Sequence, residues 1–490
     1  MDSESTRLLG TSQEEKKQQN WFLREFTHPT DPSTLLHRLI ILFFMCTLSF
    51  GSYFCFDNPA SLEGPMLKTL SIDKTRYELF YSLYSWPNVI LSVIGGYLLD
   101  RVFGHRLGAV IFSSLLCIGQ LIFAAGAHFG SFPVMCVGRF VFGLGGESLT
   151  VTQNTYAVIW FKGKEFSFVF GLLISVSRLG STFNMLTLGP LFKKMVDSHF
   201  SGFTALGICL DVGLVICILS LLGAVVLGLL DKRAEKLVEN RIVKSEEPIR
   251  LKDILHFPLS LWVIFFICVF YYSAVFPFIS LGLVFFQQKY GEGSVLASST
   301  NSAVYIVSAV ASPFCGFVID KTGLAIFWVL LGTLLTLAAH SMLAFTFILP
   351  LGIMILMGLS YSILASSLWP LVGYLVQENA LGTAYGIMQA IQNAGLAIIS
   401  IVAGVLLDQY GYLVLELFFC MCLCVTLLFC LTLYFLDLGN AGILNRTSCS
   451  KKKAERLEQV KDDLYGDRED EDEDSLRDES LRKRVLLNEK

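Results

Sequence analysis

The sequence predicts an all-α membrane protein. Twelve transmembrane helices form two six-helix bundles, with both termini in the cytosol. Three observations carry this. Hydrophobic residues make up 54% of the 490 and charged residues only 16%, a balance that soluble proteins of this size rarely show. Apolar runs of twenty or more residues recur along most of the chain. Each can cross a hydrocarbon core of about 30 Å as a helix. The runs are continuous rather than alternating, which argues against a strand barrel.

The elements follow in order. Residues 1–35 form a polar N-terminal tail without a signal peptide, so the first span is expected to act as its own insertion signal. Spans are expected near 36–57, 77–99, 107–128, 132–158, 163–191 and 203–230, which make the first bundle (36–230). A basic linker, 231–256, comes next. Spans near 257–287, 295–319, 324–346, 348–376, 379–408 and 412–436 make the second bundle (257–436). Residues 437–490 form a polar tail that includes "DREDEDED" and reads as solvated and disordered.

An even number of spans puts both termini on one side. The linker, Arg101, Arg106, Lys162, Lys164 and Lys321 share that side, while Lys68, Lys74, Lys193 and Lys289 lie opposite. The positive-inside bias makes the first side cytosolic. The sequon Asn445-Arg446-Thr447 falls on the cytosolic side, and no sequon occurs in a loop facing the other way. Thirteen cysteines lie mostly within apolar runs, as Cys420, Cys422 and Cys424 do. That is the usage of small buried residues rather than a disulfide framework.

The two halves echo each other. "GYLLDRVFGHR" (Gly96–Arg106) joins spans two and three, and "GFVIDKTG" (Gly316–Gly323) joins spans eight and nine. Each runs Gly, three residues, Asp, then a base: Asp100-Arg101 in one, Asp320-Lys321 in the other. Glycine lets helices approach closely, and a carboxylate there can accept from a helix N-terminus across the gap. The reading is a pair of latches that break when the halves rock. Two ordinary helix-ending turns are the alternative. A weaker echo relates Gly171–Gly180 to Gly386–Gly395 and sets Arg178 opposite Asn393.

Charge inside the spans is the second signal. Glu147 lies in "FGLGGESLTV", about 22 Å along span four. Arg178 stands as far into span five, which runs the other way. Antiparallel neighbours bring the two to similar depth. A closed ion pair is one outcome. The other is a split pair flanking a water-filled cavity, where a carboxylate suits an ammonium and a guanidinium suits a carboxylate. Tyr305 and Gln389 are candidates for the cavity lining, with helix packing as the alternative. Arg139 is expected to snorkel toward the non-cytosolic end of its span, and His340 and Glu416 to sit near interfaces. Asp211 has no assigned role.

These features resemble the major facilitator superfamily across about residues 36–436. The resemblance implies a central cavity worked by alternating access. Longer stretches narrow it: "FGSYFCFDNPA", "YSWPNV", "GRFVFGLGGES", "QNTYAVIWFKGKE", "YSILASSLWP" and "LGTAYGIMQAIQNAGLAIISI". They are similar to a branch of lysosomal dipeptide uniporters. That likeness implies dipeptide substrates and a stabilising accessory subunit, the glycosylated lysosomal membrane protein. It also implies that Glu147 and Arg178 hold the peptide termini and that Trp369 is a third cavity position. Trp369 lies mid-span beside Pro370, which argues against an interfacial belt residue.

Near the N-terminus Glu4 precedes Leu8-Leu9 with three residues between, the acidic dileucine pattern read by clathrin adaptor complexes. Leu486-Leu487 lacks the matching acid. There is no phosphate-cradling loop, and no His, Cys or carboxylate cluster has metal-site spacing, so neither cofactor nor metal is expected. The function expected is export of dipeptides from the lysosomal lumen to the cytosol. The alternatives are a proton-coupled carrier of another organic zwitterion or anion, and a non-transporting scaffold or nutrient sensor.

Overall fold

The computed structural model describes residues 34–72, 74–162, 165–238, 254, 256–439, 442 and 444–447. The sorting motif, most of the linker and nearly all of the acidic tail lie outside the described residues. Helices dominate the described residues, where an isolated bridge joins Gly323 to Thr447.

The first half holds α1 (Leu35–Phe56), α2 (Lys74–Leu98), α3 (Gly104–His128), α4 (Phe132–Phe161), α5 (Phe166–Asp197) and α6 (Gly202–Val238). The second holds α7 (Leu259–Tyr290), α8 (Ser294–Thr322), α9 (Ala325–Phe345), α10 (Pro350–Leu375) and the stretch Leu381–Gly439. Gly411, at φ 78°, breaks that stretch into α11 (381–410) and α12 (412–439). Among the described residues, length and hydropathy give eleven candidate spans, one of them 50 residues long. Fifty residues of straight helix would reach about 75 Å. This one is interrupted by a π-turn, Leu99–Phe103, and by Gly104 at φ 66°. It therefore makes two rods, α2 and α3, for twelve in all.

Several helices outrun the predicted spans. The sequence ends span five at 191 and span six at 230, whereas α5 continues to Asp197 and α6 to Val238. Hydropathy marks only the membrane-embedded part. Polar residues such as Lys193, Lys194 and Lys232 still favour helix and extend it into water.

The non-cytosolic segment after α1 is folded. It forms two short helices, Asn58–Ser61 and Glu63–Thr69, with Asn58, Pro59, Leu62 and Met66 buried. The Asn184 amide donates to the Asn58 side chain at 2.6 Å and ties the segment to α5.

Each half packs internally, and the halves meet along two seams, α2 against α11 and α5 against α8. Glycine decides how closely they meet. A Cβ on Gly96 would lie 2.1 Å from the Gly382 carbonyl oxygen, and one on Gly316 would lie 2.3 Å from that of Ser167. Any side chain there would force the backbones apart. These are the two glycines of the repeated loops, so each copy of the internal repeat lies at a tight contact between the halves.

Candidate functional site

Asp100 and Asp320 do the same thing on opposite seams. Asp100 accepts from the Gly382 N–H at 2.8 Å and the Thr383 N–H at 2.5 Å, at the start of α11. Asp320 accepts from the Ser167 N–H at 2.8 Å and the Phe168 N–H at 2.7 Å, at the start of α5. The first N–H groups of a helix have no partner within it, and the dipole there favours negative charge. Each carboxylate thus crosses from one half to cap a helix of the other. The bases beside them do not cross. Arg101 contacts Tyr97 of its own helix, and Lys321 is exposed.

With the cytosolic end shut, a cavity of about 610 Å³ lies between the halves on the other side. Met185 and Leu186 line it and are more than half exposed, so it opens away from the cytosol. Glu147 and Arg178 both face it, with Tyr305 and Gln389 in the opposite wall. A smaller chamber of about 120 Å³ continues toward the latches and adds Trp369. Arg178, Tyr53, Thr150 and Gln389 border both chambers.

Glu147 and Arg178 carry no ion pair among the described residues, so the split arrangement holds over the closed pair. Glu147 accepts from the Tyr84 hydroxyl at 3.3 Å. Arg178 donates through Nη2 to the Tyr361 hydroxyl at 3.0 Å and lies over the Tyr305 ring, 4.6 Å from its centroid. Trp369 donates its indole N–H to the Tyr272 hydroxyl at 2.9 Å and stacks on Tyr385 at 17°. The Trp369 ring is therefore fixed at the floor of the smaller chamber.

Two expectations are corrected. Arg139 does not snorkel. It is fully buried and donates to the carbonyls of Cys55 at 3.2 Å, Phe56 at 2.9 Å and Phe80 at 3.3 Å. Two of these end α1, where carbonyls lack helical donors. Five aromatic rings surround its guanidinium at 5.4–5.8 Å. His340 and Glu416 are not interfacial. They are 0% and 1% exposed and pair at 2.8 Å between α9 and α12. Asp211, left unassigned by the sequence, pairs with His128 at 2.8 Å.

Sequence reasoning missed Asp57, which brings a second carboxylate to the cavity. It closes an apolar run, where an acid reads as an ordinary interfacial residue. The break between α1 and the short helix Asn58–Ser61 is what turns it inward. Tyr84 and Tyr361 were also missed, because nothing in the sequence separates them from the span tyrosines that only pack helices.

This geometry defines a class: a membrane carrier with a central cavity between two helical bundles, shut at one end by paired carboxylate latches. The chain belongs to the Major Facilitator Superfamily, whose sequence pattern matches residues 42–400. It is similar to the lysosomal dipeptide transporter MFSD1 of Danio rerio, 53% identical over 429 residues, 87% of this chain and 93% of that one. It is also similar to MFSD1 of Homo sapiens, 53% identical over 424 residues (86% and 91% of the two chains). MFSD1 of Mus musculus is 50% identical over 457 residues (93% and 98%). Among solved structures, the transporter FucP in its outward conformation superposes with a TM-score of 0.64 at 13% identity, covering 81% of this chain and 99% of that one. The human organic anion transporter MFSD10 superposes at 0.58 and 13% identity, covering 80% and 99%. At such identity these structures speak for the fold alone.

Proposed function

We propose that this chain is a lysosomal dipeptide uniporter that carries dipeptides from the lumen to the cytosol by alternating access. The observation that carries the reading is the unpaired Glu147 and Arg178 facing one cavity. It gains its substrate class from the relatives' activity. Glu147 takes the peptide ammonium and Arg178 the carboxylate. An extended dipeptide sets its charges about 7 Å apart, whereas an amino acid carries both on one Cα. Tyr305 and Gln389 form the facing wall, and Trp369 the floor. Asp100 and Asp320 serve as gates, with Arg101 and Lys321 beside them.

Capping tests the charge reading. N-acetyl and C-amide dipeptides should each be carried at less than about a tenth of the rate of the free peptide, because a buried charge then loses its partner. Glu147→Ala and Arg178→Ala should abolish uptake in folded protein. Equal transport of capped and free dipeptides would overturn the assignment.

One observation favours a second reading. Glu147 has a tyrosine partner and no cation, the setting of a proton-carrying acid. Uptake that rises steeply with luminal acidity, at fixed substrate charge, would select a proton-coupled carrier over the uniporter. We further propose that Glu4, Leu8 and Leu9 recruit clathrin adaptors, and that a glycosylated lysosomal membrane protein covers the luminal face.

A further inference from the structure

We propose that the Tyr361 hydroxyl stands in for the substrate carboxylate: in the empty cavity it ties Arg178 to the opposite bundle, and substrate replaces it. This rests on the dipeptide reading above. Arg178 belongs to α5, in the first half. Its ring partners belong to the second, Tyr305 on α8 and Tyr361 on α10. The hydrogen bond to Tyr361 therefore bridges the halves at the meeting of the two chambers.

The Tyr361 ring does not swing freely. It is 5% exposed, with Tyr272 packed edge-on at 6.0 Å and Phe276 at 6.1 Å. The guanidinium, by contrast, is under-satisfied. It has five N–H donors, and its buried Nε has no partner. A neutral hydroxyl offers it one weak acceptor. A carboxylate offers two charged oxygens in matching geometry, a bond roughly twice as strong. Substrate wins that competition.

The consequence is kinetic. α10 meets α5 again nearer the cytosol, where the Tyr374 and Phe166 rings lie 5.4 Å apart. This seam has to part when the cytosolic side opens. The empty carrier must break the Arg178–Tyr361 tie to turn over, and the loaded carrier has already lost it. Loaded reorientation is then faster than empty reorientation, and substrate on the far side accelerates uptake. Tyr361 is a positioning residue, acting through Arg178.

Purified full-length protein in liposomes tests this with Ala-Ala, Lys-Ala and Glu-Ala, which span side-chain charge. In wild type, uptake into liposomes preloaded with the same dipeptide should exceed uptake into empty ones. In Tyr361→Phe, which keeps the ring and removes only the hydroxyl, that exchange-to-net ratio should fall at least about threefold. An unchanged ratio overturns the tie while leaving the substrate reading intact. Should the variant fail to fold, the ligand is varied instead. Wild-type liposomes preloaded with a C-amidated dipeptide should show no acceleration, because that ligand cannot displace Tyr361. Acceleration equal to that by the free peptide overturns the tie. If wild type carries none of the three dipeptides, the substrate reading falls and the tie with it.

Discussion

Arg139 and Arg178 are arginines in adjacent helices, and their surroundings give them opposite jobs. Arg139 finds three carbonyls and five rings and is closed off from the cavity. Arg178 has one hydroxyl, one close ring and open space beside it. The expected outcome of truncation differs accordingly. Arg139→Ala empties a large buried site and strands the α1 carbonyls, costing about 3–5 kcal/mol. It should lower the unfolding temperature of purified protein sharply and reduce its yield. Arg178→Ala should leave the unfolding temperature close to wild type and remove the dipeptide-induced rise that mass action gives. Similar melting of the two variants would contradict the division. Both charges were visible in the sequence as expensive residues in apolar runs. Which of them had found partners was not visible, because those partners lie more than 50 residues away along the chain in every Arg139 bond.

At the scale of elements, the latches were the most legible feature. A Gly and an Asp four residues apart, repeated at equivalent positions, already implied a close approach and a helix-capping acid. The structure supplies the recipients, α11 for Asp100 and α5 for Asp320. Each carboxylate accepts two charge-assisted bonds, so losing one latch should cost the closed state about 1–2 kcal/mol. Asp100→Ala should raise cytosolic labelling of a cysteine placed in the smaller chamber by about tenfold. Asp320→Ala should do the same, because its geometry matches. Unchanged labelling in both variants would mean that the glycine-lined seams alone hold the gate. The bends were less legible. The sequence leaves a gap between the spans that end at 408 and begin at 412 and places Pro370 mid-span, but only the structure shows that Gly411 makes the break while Pro370 lies inside a continuous α10.

At the scale of the whole molecule, the halves touch along two seams at the cytosolic end and part around the cavity at the other. The latches and seams hold that outward-open shape. The same scale governs where the protein resides. Leu8→Ala with Leu9→Ala should move the chain to the cell surface while leaving transport per molecule unchanged. In cells lacking the glycosylated partner, its half-life should fall, and lysosomal protease inhibitors should restore it. Continued lysosomal residence of the double variant would mean that routing lies elsewhere. Undiminished abundance without the partner would remove the shield. The non-cytosolic segment after α1 is partly self-protected, since Asn58, Leu62 and Met66 are buried, so the proposed shield would matter most at exposed Lys68 and Arg76.

Hydropathy and a repeated glycine-aspartate spacing were enough, by themselves, to determine twelve helices and the symmetry of the two halves. These are properties of single helices and of turns, and they depend on neighbours along the chain. That Glu147 and Arg178 reach the same cavity was legible for the same reason, since rise per residue is fixed. Only the tertiary structure decided that these two remain unpaired, that Asp57 turns into the cavity, and that His340 and Glu416 pair with each other in the core. Each of those outcomes depends on which side chains of distant helices fall within about 3 Å of one another. Such a match is set by packing between helices, and a linear pattern of residues does not record it.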